Sequence, residues 1–146
     1  MNAANTIPLR LALGLGCDRG TPMATLARAV DEALAEVTRQ AGVSLEIVAA
    51  ASIDLKADEV GLLELARARG WPLCFHPAAR LAVVPVPHPS ETVRRHTGTP
   101  SVSEAAALLA AGTREPAAMS QLLVAKHRVR GLDGRSATVS IARIMP

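Results

Sequence analysis

The apolar run Leu9–Leu15 leads into Gly14-Leu15-Gly16-Cys17-Asp18-Arg19-Gly20-Thr21-Pro22, and this junction restricts the fold more than any other part of the chain. A run this short, bounded by glycines, suits a buried strand rather than a helix. Beyond it, Met23, Leu26, Val30, Leu34, Val37 and Ala41 recur at helical spacing, and Gly42 supplies a C-terminal stop. Thr21 is predicted as the N-cap, with Pro22 at the first helical position, where a missing N–H costs nothing. A strand that turns through glycines into a helix start presents free N–H groups and the positive end of a helix dipole. It presents them at the carboxyl edge of a sheet, where open α/β sheets bind ligands.

The remaining chain repeats this alternation and then abandons it. Val43–Ala50 reads as a second strand, followed by a loop from Ser52 to Glu59. A helix over Asp58–Arg69 carries Leu62, Leu63, Leu65 and Ala66 inward and closes at Gly70. Pro72–Phe75 is a short third strand. A proline-punctuated segment follows, in which Ala78–Leu81 forms one helical turn and Ser90 caps a helix to His96. Ser101 and Glu104 have capping-box spacing and open an Ala/Leu helix that runs to Ala111. Gln121–His127 and Ala137–Ile144 flank Gly131-Leu132-Asp133-Gly134, which predicts an antiparallel hairpin. The fold class expected is α/β: a single domain over 7–146, after a loose terminus at 1–6. Its sheet is mixed and mostly parallel, with helices on both faces and a C-terminal hairpin.

With 146 residues the chain is one domain with a sizeable core. That core is aliphatic, because there is one Phe, one Trp and no Tyr. So few aromatics argue against the base-stacking platforms of single-stranded nucleic-acid binding. The net charge of +3 is spread along the chain with no basic run, so neither nucleic acid nor a membrane surface is an expected partner. Mildly basic character fits a small or medium acidic ligand instead. Two cysteines, no CxxC, no signal-peptide pattern and no apolar run of membrane-spanning length predict a cytoplasmic protein with reduced thiols.

Each candidate site has a plainer role beside it. Gly14, Gly16 and Gly20 miss the dinucleotide fingerprint by one residue, and no suitably placed acidic residue follows, so no nicotinamide or flavin cofactor is expected. The glycines serve equally well for close strand–helix packing. Cys17, beside a helix start and Arg19, has the surroundings that lower a thiol pKa; its plainer role is a small buried residue. Cys74, within an apolar strand, reads as core. Lys56, Asp58 and Glu59 form a charged cluster in which Lys56 suits an anion and Glu59 an acid or base; a solvated first turn is the alternative. Thr97, Thr99 and Ser101, with the following helix start, make a hydroxyl-rich anion nest or an ordinary cap. His76, His88, His96 and His127 lack metal-ligand spacing and read as surface or loop residues, so no metal site is expected.

Taken together, five segments resemble the CobE / CbiG C-terminal domain family of cobalamin biosynthesis. They are Gly14-x-Gly16-Cys17-x-x-Gly20, Ser52-Ile53-Asp54-Leu55-Lys56-x-x-Glu59-x-Gly61-Leu62, Pro89-Ser90-Glu91, Thr97-Gly98-Thr99-Pro100-Ser101-Val102-x-Glu104-Ala105-Ala106-Ala107-Leu108, and Lys126. Their order and spacing, spanning Leu9 to Arg143, make the likeness far more specific than any one glycine pattern. Asp18 departs from the basic residue often found after the family's cysteine, which leaves Arg19 as that loop's cation. The resemblance implies an α/β domain acting on corrin-ring intermediates. In the anaerobic pathway it is the C-terminal part of a larger hydrolase that opens a lactone on cobalt-precorrin-5A. The present chain is similar to the free-standing form associated with the aerobic pathway.

Corrin precursors bear many carboxylates, which suits an edge with helix N-termini and scattered cations. The expected ligand is therefore a tetrapyrrole intermediate. Its contacts are expected among Gly16, Cys17, Arg19, Gly20, Thr21, Ser52, Lys56, Thr97, Gly98, Thr99 and Ser101. An alternative reading is an enzyme of the same pathway, lactone-hydrolysing or ring-modifying, with Glu59 or Glu104 as base and Lys56 facing an oxyanion. A third is a non-catalytic subunit that joins other pathway enzymes.

Overall fold

Leu11, Leu13 and Leu15 alternate with Ala12, Gly14 and Gly16 along the first strand, and the two sets meet different partners. In the computed structural model, which describes residues 7–146, β1 spans Leu9–Cys17. The expected loose terminus at 1–6 lies outside the described residues. The leucines pack against α1 (Met23–Ala41) and α2 (Val60–Arg69) through Leu26, Val30, Val37, Leu62 and Leu65. On the opposite face Ala12 packs with α3 (Ala78–Ala82) and α5 (Ser103–Ala111) through Leu81, Ala105 to Leu108, and Ala111. Between these two helices runs α4 (Glu91–Thr97), capped by Ser90 Oγ, which accepts from the Val93 N–H at 3.2 Å.

The sheet also contains β2 (Leu45–Ile53), β3 (Leu73–His76), β4 (Leu122–Arg130) and β5 (Ser136–Arg143), in the order β3-β2-β1-β5-β4. β1 is parallel to β2, and β2 to β3, while β5 runs antiparallel to both β1 and β4. Four strands thus point one way and only β5 opposes them. This is the single-domain mixed α/β sheet, with helices on both faces and a final hairpin, that the alternation of patterns predicts.

Small residues on one side of β1 let α5 dock backbone to backbone. A Cβ at Gly14 would lie 1.8 Å from the Ser103 carbonyl oxygen and 2.5 Å from the Ala107 nitrogen. Gly14 and Gly16 therefore belong to the strand, where Gly14 serves packing, and only Gly20, at φ 79°, forms part of the turn.

Several boundaries differ from expectation because tertiary contacts outweigh local signals. Pro22, at ψ 151°, takes the N-cap place, and α1 starts at Met23. Thr21, predicted as the cap, is buried and donates instead to the Asp18 carbonyl at 2.7 Å. β2 runs on to Ile53, since Ala51 and Ile53 complete the core beneath α5 and pair with β3. Ser52, placed by sequence in a loop, is thus a strand residue. α5 begins at Ser103 with no side-chain cap, so the Ser101/Glu104 capping box does not form. Cys74 is exposed on the edge strand β3 rather than buried in the core. No helix among the described residues is long and apolar enough to cross a membrane.

Candidate functional site

The carboxyl ends of β1, β2 and β3 and the start of β5 share one edge of the sheet, and the loop after β1 is clamped there from two sides. On one side Asp18 Oδ2 accepts from the Ser136 N–H at 2.7 Å, and Arg135 Nε donates to the Arg19 carbonyl at 3.0 Å. On the other, Arg19 Nη1 lies 2.7 Å from Asp58 Oδ1 and 2.8 Å from Glu59 Oε1, and Nη2 donates to the Leu55 carbonyl. The Gly20 N–H donates to the Glu59 carboxylate at 3.1 Å. Sequence thus rightly brings the first two loops together, but their free N–H is taken by the protein's own acid. Asp58 and Glu59 precede α2 rather than filling its first turn, and Glu59, only 3% exposed, serves the neighbouring loop.

An open groove of about 550 Å³ lies between these loops, lined by Arg19, Thr21, Met23, Asp58, Glu59 and Glu64 among others. Three carboxylates against one guanidinium make it a poor seat for an acidic ligand. The Arg19 hydrogen bond holds the Asp58 carboxyl below its usual range, and Arg19 is in turn held above its own.

Lys56 differs from Arg19. It is half-buried in the short 3-10 turn Asp54–Lys56 that follows β2, and it has no salt bridge among the described residues. Its charge reaches Cys17, where it pulls the thiol pKa down; burial acts more strongly in the other direction and pushes the thiol up to about 11. The reactive-thiolate reading of Cys17 therefore fails, because desolvation disfavours the charged form. Beyond the end of β3, the Arg80 guanidinium on α3 assists burial in lowering the His76 pKa, which places a second cation at this edge.

Ser52, expected as a ligand contact, and Thr97, Thr99 and Ser101, expected to form an anion nest, spend their hydroxyls on the protein itself. Ser52 is fully buried and donates to the Leu15 carbonyl at 2.6 Å. Thr97 Oγ1 donates to the Val93 carbonyl, and Thr99 Oγ1 to the Ser101 carbonyl. Thr99 and Ser101 are both buried. Gly98, at φ 83°, is the left-handed cap of α4. Of the third segment, Val102 reaches the edge, 3.8 Å from where a Gly16 Cβ would stand. The described residues contain no group of three or more His, Cys, Asp or Glu suited to hold a metal ion.

Glu104 sits apart from the first two loops, in the first turn of α5, and is 0% exposed. Its Oε2 lies 2.8 Å from His88 Nδ1, its Oε1 accepts from Ser101 Oγ at 3.1 Å, and Lys126 Nζ stands 3.9 Å away. Glu104 is thus sealed from direct contact with any ligand. His88 is the member of this cluster that residue patterns do not reveal, because its partner is sixteen positions on and on another element. Its one signal is the pair of prolines, Pro87 and Pro89, around it.

Comparison with known proteins shows the family and the fold. Residues 11–142 match the family described as Cobalamin synthesis G C-terminus. The chain is 40% identical over 105 residues to the cobalt-precorrin-5A hydrolase of Priestia megaterium, covering 72% of this chain but only 27% of that protein. It is 37% identical over 126 residues to Protein CobE of a Sinorhizobium species, covering 85% of this chain and 79% of that one. Among solved structures it is similar to CobE, a protein from the cobalamin (vitamin B12) biosynthetic pathway, with a TM-score of 0.70 and 36% identity over 96% of this chain and 94% of that one. It is also similar to cobalamin biosynthesis protein chiG from Agrobacterium tumefaciens, with a TM-score of 0.56 and 30% identity over 93% and 99% of the two chains.

Proposed function

From the premise that the chain belongs to the Cobalamin synthesis G C-terminus family and is a CobE-like cobalamin biosynthesis protein, we propose that it binds a polycarboxylate tetrapyrrole intermediate. The binding surface is the carboxyl edge beside Gly16 and Cys17. The observation that carries this reading is the contrast between two cations. Arg19 is bridged by Asp58 and Glu59, whereas Lys56 makes no salt bridge among the described residues and acts on Asp58 only at longer range. An ammonium held at a sheet edge without a salt bridge is available for a ligand carboxylate, and a charge-assisted bond of this kind contributes about 1.5–3 kcal/mol. Gly16 adds a stretch of backbone with no side chain on the α5 face, and Arg80 extends the positive edge toward β3. The protein works in the cytoplasm, where Cys17 and Cys74 stay reduced, and hands its ligand to other enzymes of the pathway.

Titration with uroporphyrin, a stable polycarboxylate tetrapyrrole, tests this reading by absorbance shift and calorimetry. Saturable binding is expected, weakened about tenfold or more by Lys56→Ala. An equal affinity in the Lys56→Ala protein, or no binding at all, overturns it.

A further inference from the structure

We propose that Arg128 on β4 is a second carboxylate seat at the same edge as Lys56, so that the site takes a broad ligand with acids on opposite sides of its frame. This rests on the ligand-binding reading above and adds where the ligand lies. Cross-strand pairing defines the place. Gly16 of β1 pairs with Thr138 of β5, and Thr138 pairs with Arg128 of β4. Residues paired across strands share a face, as do residues two apart on one strand. Ser140, two positions from Thr138, bonds Ser103 at the start of α5, and a Cβ at Gly14 would run into that helix. The row Gly16–Thr138–Arg128 is therefore the next one toward the carboxyl edge on the α5 face, just past the helix.

Gly16 and Thr138 are half-buried and Arg128 is exposed, so ligand can reach this row. Lys126, Arg128 and Arg130 are alternate residues of β4 on the same face, while Val129 between them belongs to the opposite core. Lys126 is committed to Glu104 and the His88 carbonyl. Arg128 makes no salt bridge among the described residues, and its Nη2 donates to Ser136 Oγ at 3.3 Å. Asp18 spends Oδ2 on the Ser136 N–H and does not bridge Arg128. A charged edge strand also blunts pairing between molecules, and any cation would serve for that. Arg128 differs in standing beside a hydroxyl and a bare glycine at the ligand edge.

Lys56 approaches from the other flank. It follows β2, and its charge acts on Cys17, the neighbour of Gly16. In the order β3-β2-β1-β5-β4, β2 and β4 are three strand steps apart, which is about 14 Å. One small anion cannot touch both cations. A flat macrocycle with carboxylates around its rim can, if it lies across the backbone of Gly16 with one acid at each flank. The guanidinium of Arg128 adds a planar fork that takes both oxygens of a carboxylate, which the ammonium of Lys56 does not. The substrate class is thereby narrowed to a tetrapyrrole whose acids stand on opposite sides of the ring.

The probe is uroporphyrin, titrated into the full chain. Arg128→Gln, a change at an exposed position, should weaken binding about tenfold. Arg128→Lys should lose less, since it keeps the charge and gives up the fork. Combined with Lys56→Ala, the Arg128→Gln loss should multiply to about a hundredfold, because the two seats share no partner. Arg10, exposed at the amino end of β1, is the control, and Arg10→Gln should leave the affinity unchanged. Labelling of wild-type arginines with phenylglyoxal, read by mass spectrometry, needs no variant. Bound uroporphyrin should shield Arg128 and leave Arg10 as reactive as before. Unchanged affinity in Arg128→Gln, or equal labelling of Arg128 with and without uroporphyrin, overturns this inference and leaves the Lys56 result standing. Absence of binding to the wild-type chain removes both.

Discussion

Glu59 and Glu104 are two nearly sealed carboxylates at the starts of helices on opposite faces of one sheet, and they are used differently. Glu59 meets a backbone N–H and the guanidinium of Arg19, two donors that keep their protons at any physiological pH. Its charge is spent on holding one loop against another. Glu104 meets a hydroxyl, a lysine and an exposed imidazole. The same side chain at comparable burial is a clamp between two loops in one place and an anchor for a solvent-facing ring in the other. Burial and charge alone therefore do not say what a sealed carboxylate does; the identity and exposure of its partners do.

This contrast can be broken or sharpened by substitution. The largest effect is expected from Gly14→Ala, because a methyl there drives into the backbone of α5. It should cost about 3 kcal/mol or more, with the melting temperature falling by roughly 10 °C. Next is Glu104→Ala, expected to destabilise by on the order of 3 kcal/mol, since Ser101 and Lys126 lose a buried partner. Urea unfolding measures this directly, and a loss well below 1 kcal/mol would deny Glu104 its organising role.

Glu59→Ala should cost less, about 1–2 kcal/mol, because the Gly20 N–H loses its acceptor while Arg19, 60% exposed, regains water. Were it to exceed the Glu104 loss, the ranking of clamp and anchor would reverse. The smallest effect belongs to the exposed Arg19–Asp58 pair. Its lowered Asp58 pKa means that its contribution is present above the ordinary carboxylate range and is lost as pH falls through the lowered value. Wild-type and Asp58→Asn melting curves should therefore converge in acid, and also in high salt.

Much of this was legible in the residues. Alternation of strand and helix patterns, the cap glycines Gly42 and Gly70 and the turn from Gly131 to Gly134 predict the architecture, because each is a local signal with a local cause. The resemblance of five ordered motifs gives the family. What local reasoning misplaces are hydroxyls. Thr21, Ser52, Thr99 and Ser101 look like cap or ligand donors, but backbone carbonyls supplied by Asp18, Leu15 and Ser101 itself, and the Glu104 carboxylate, take their hydrogen bonds. Partner choice at that level depends on tertiary neighbours. His88 escapes for the same reason, and Cys74 because nothing in an apolar tetrapeptide tells an edge strand from an inner one.

The position of β5 has a consequence for how the chain is made. It is the last of the five strands in chain order, yet it is inserted between β1 and β4, with Leu11 paired to Arg143. Until it emerges, the flank of β1 is an unpaired edge and the sheet exists as separate pieces. Closure across nearly the whole length of the chain is slow compared with local contacts. The interval before β5 arrives is thus when strand-to-strand association between nascent copies competes most strongly with folding.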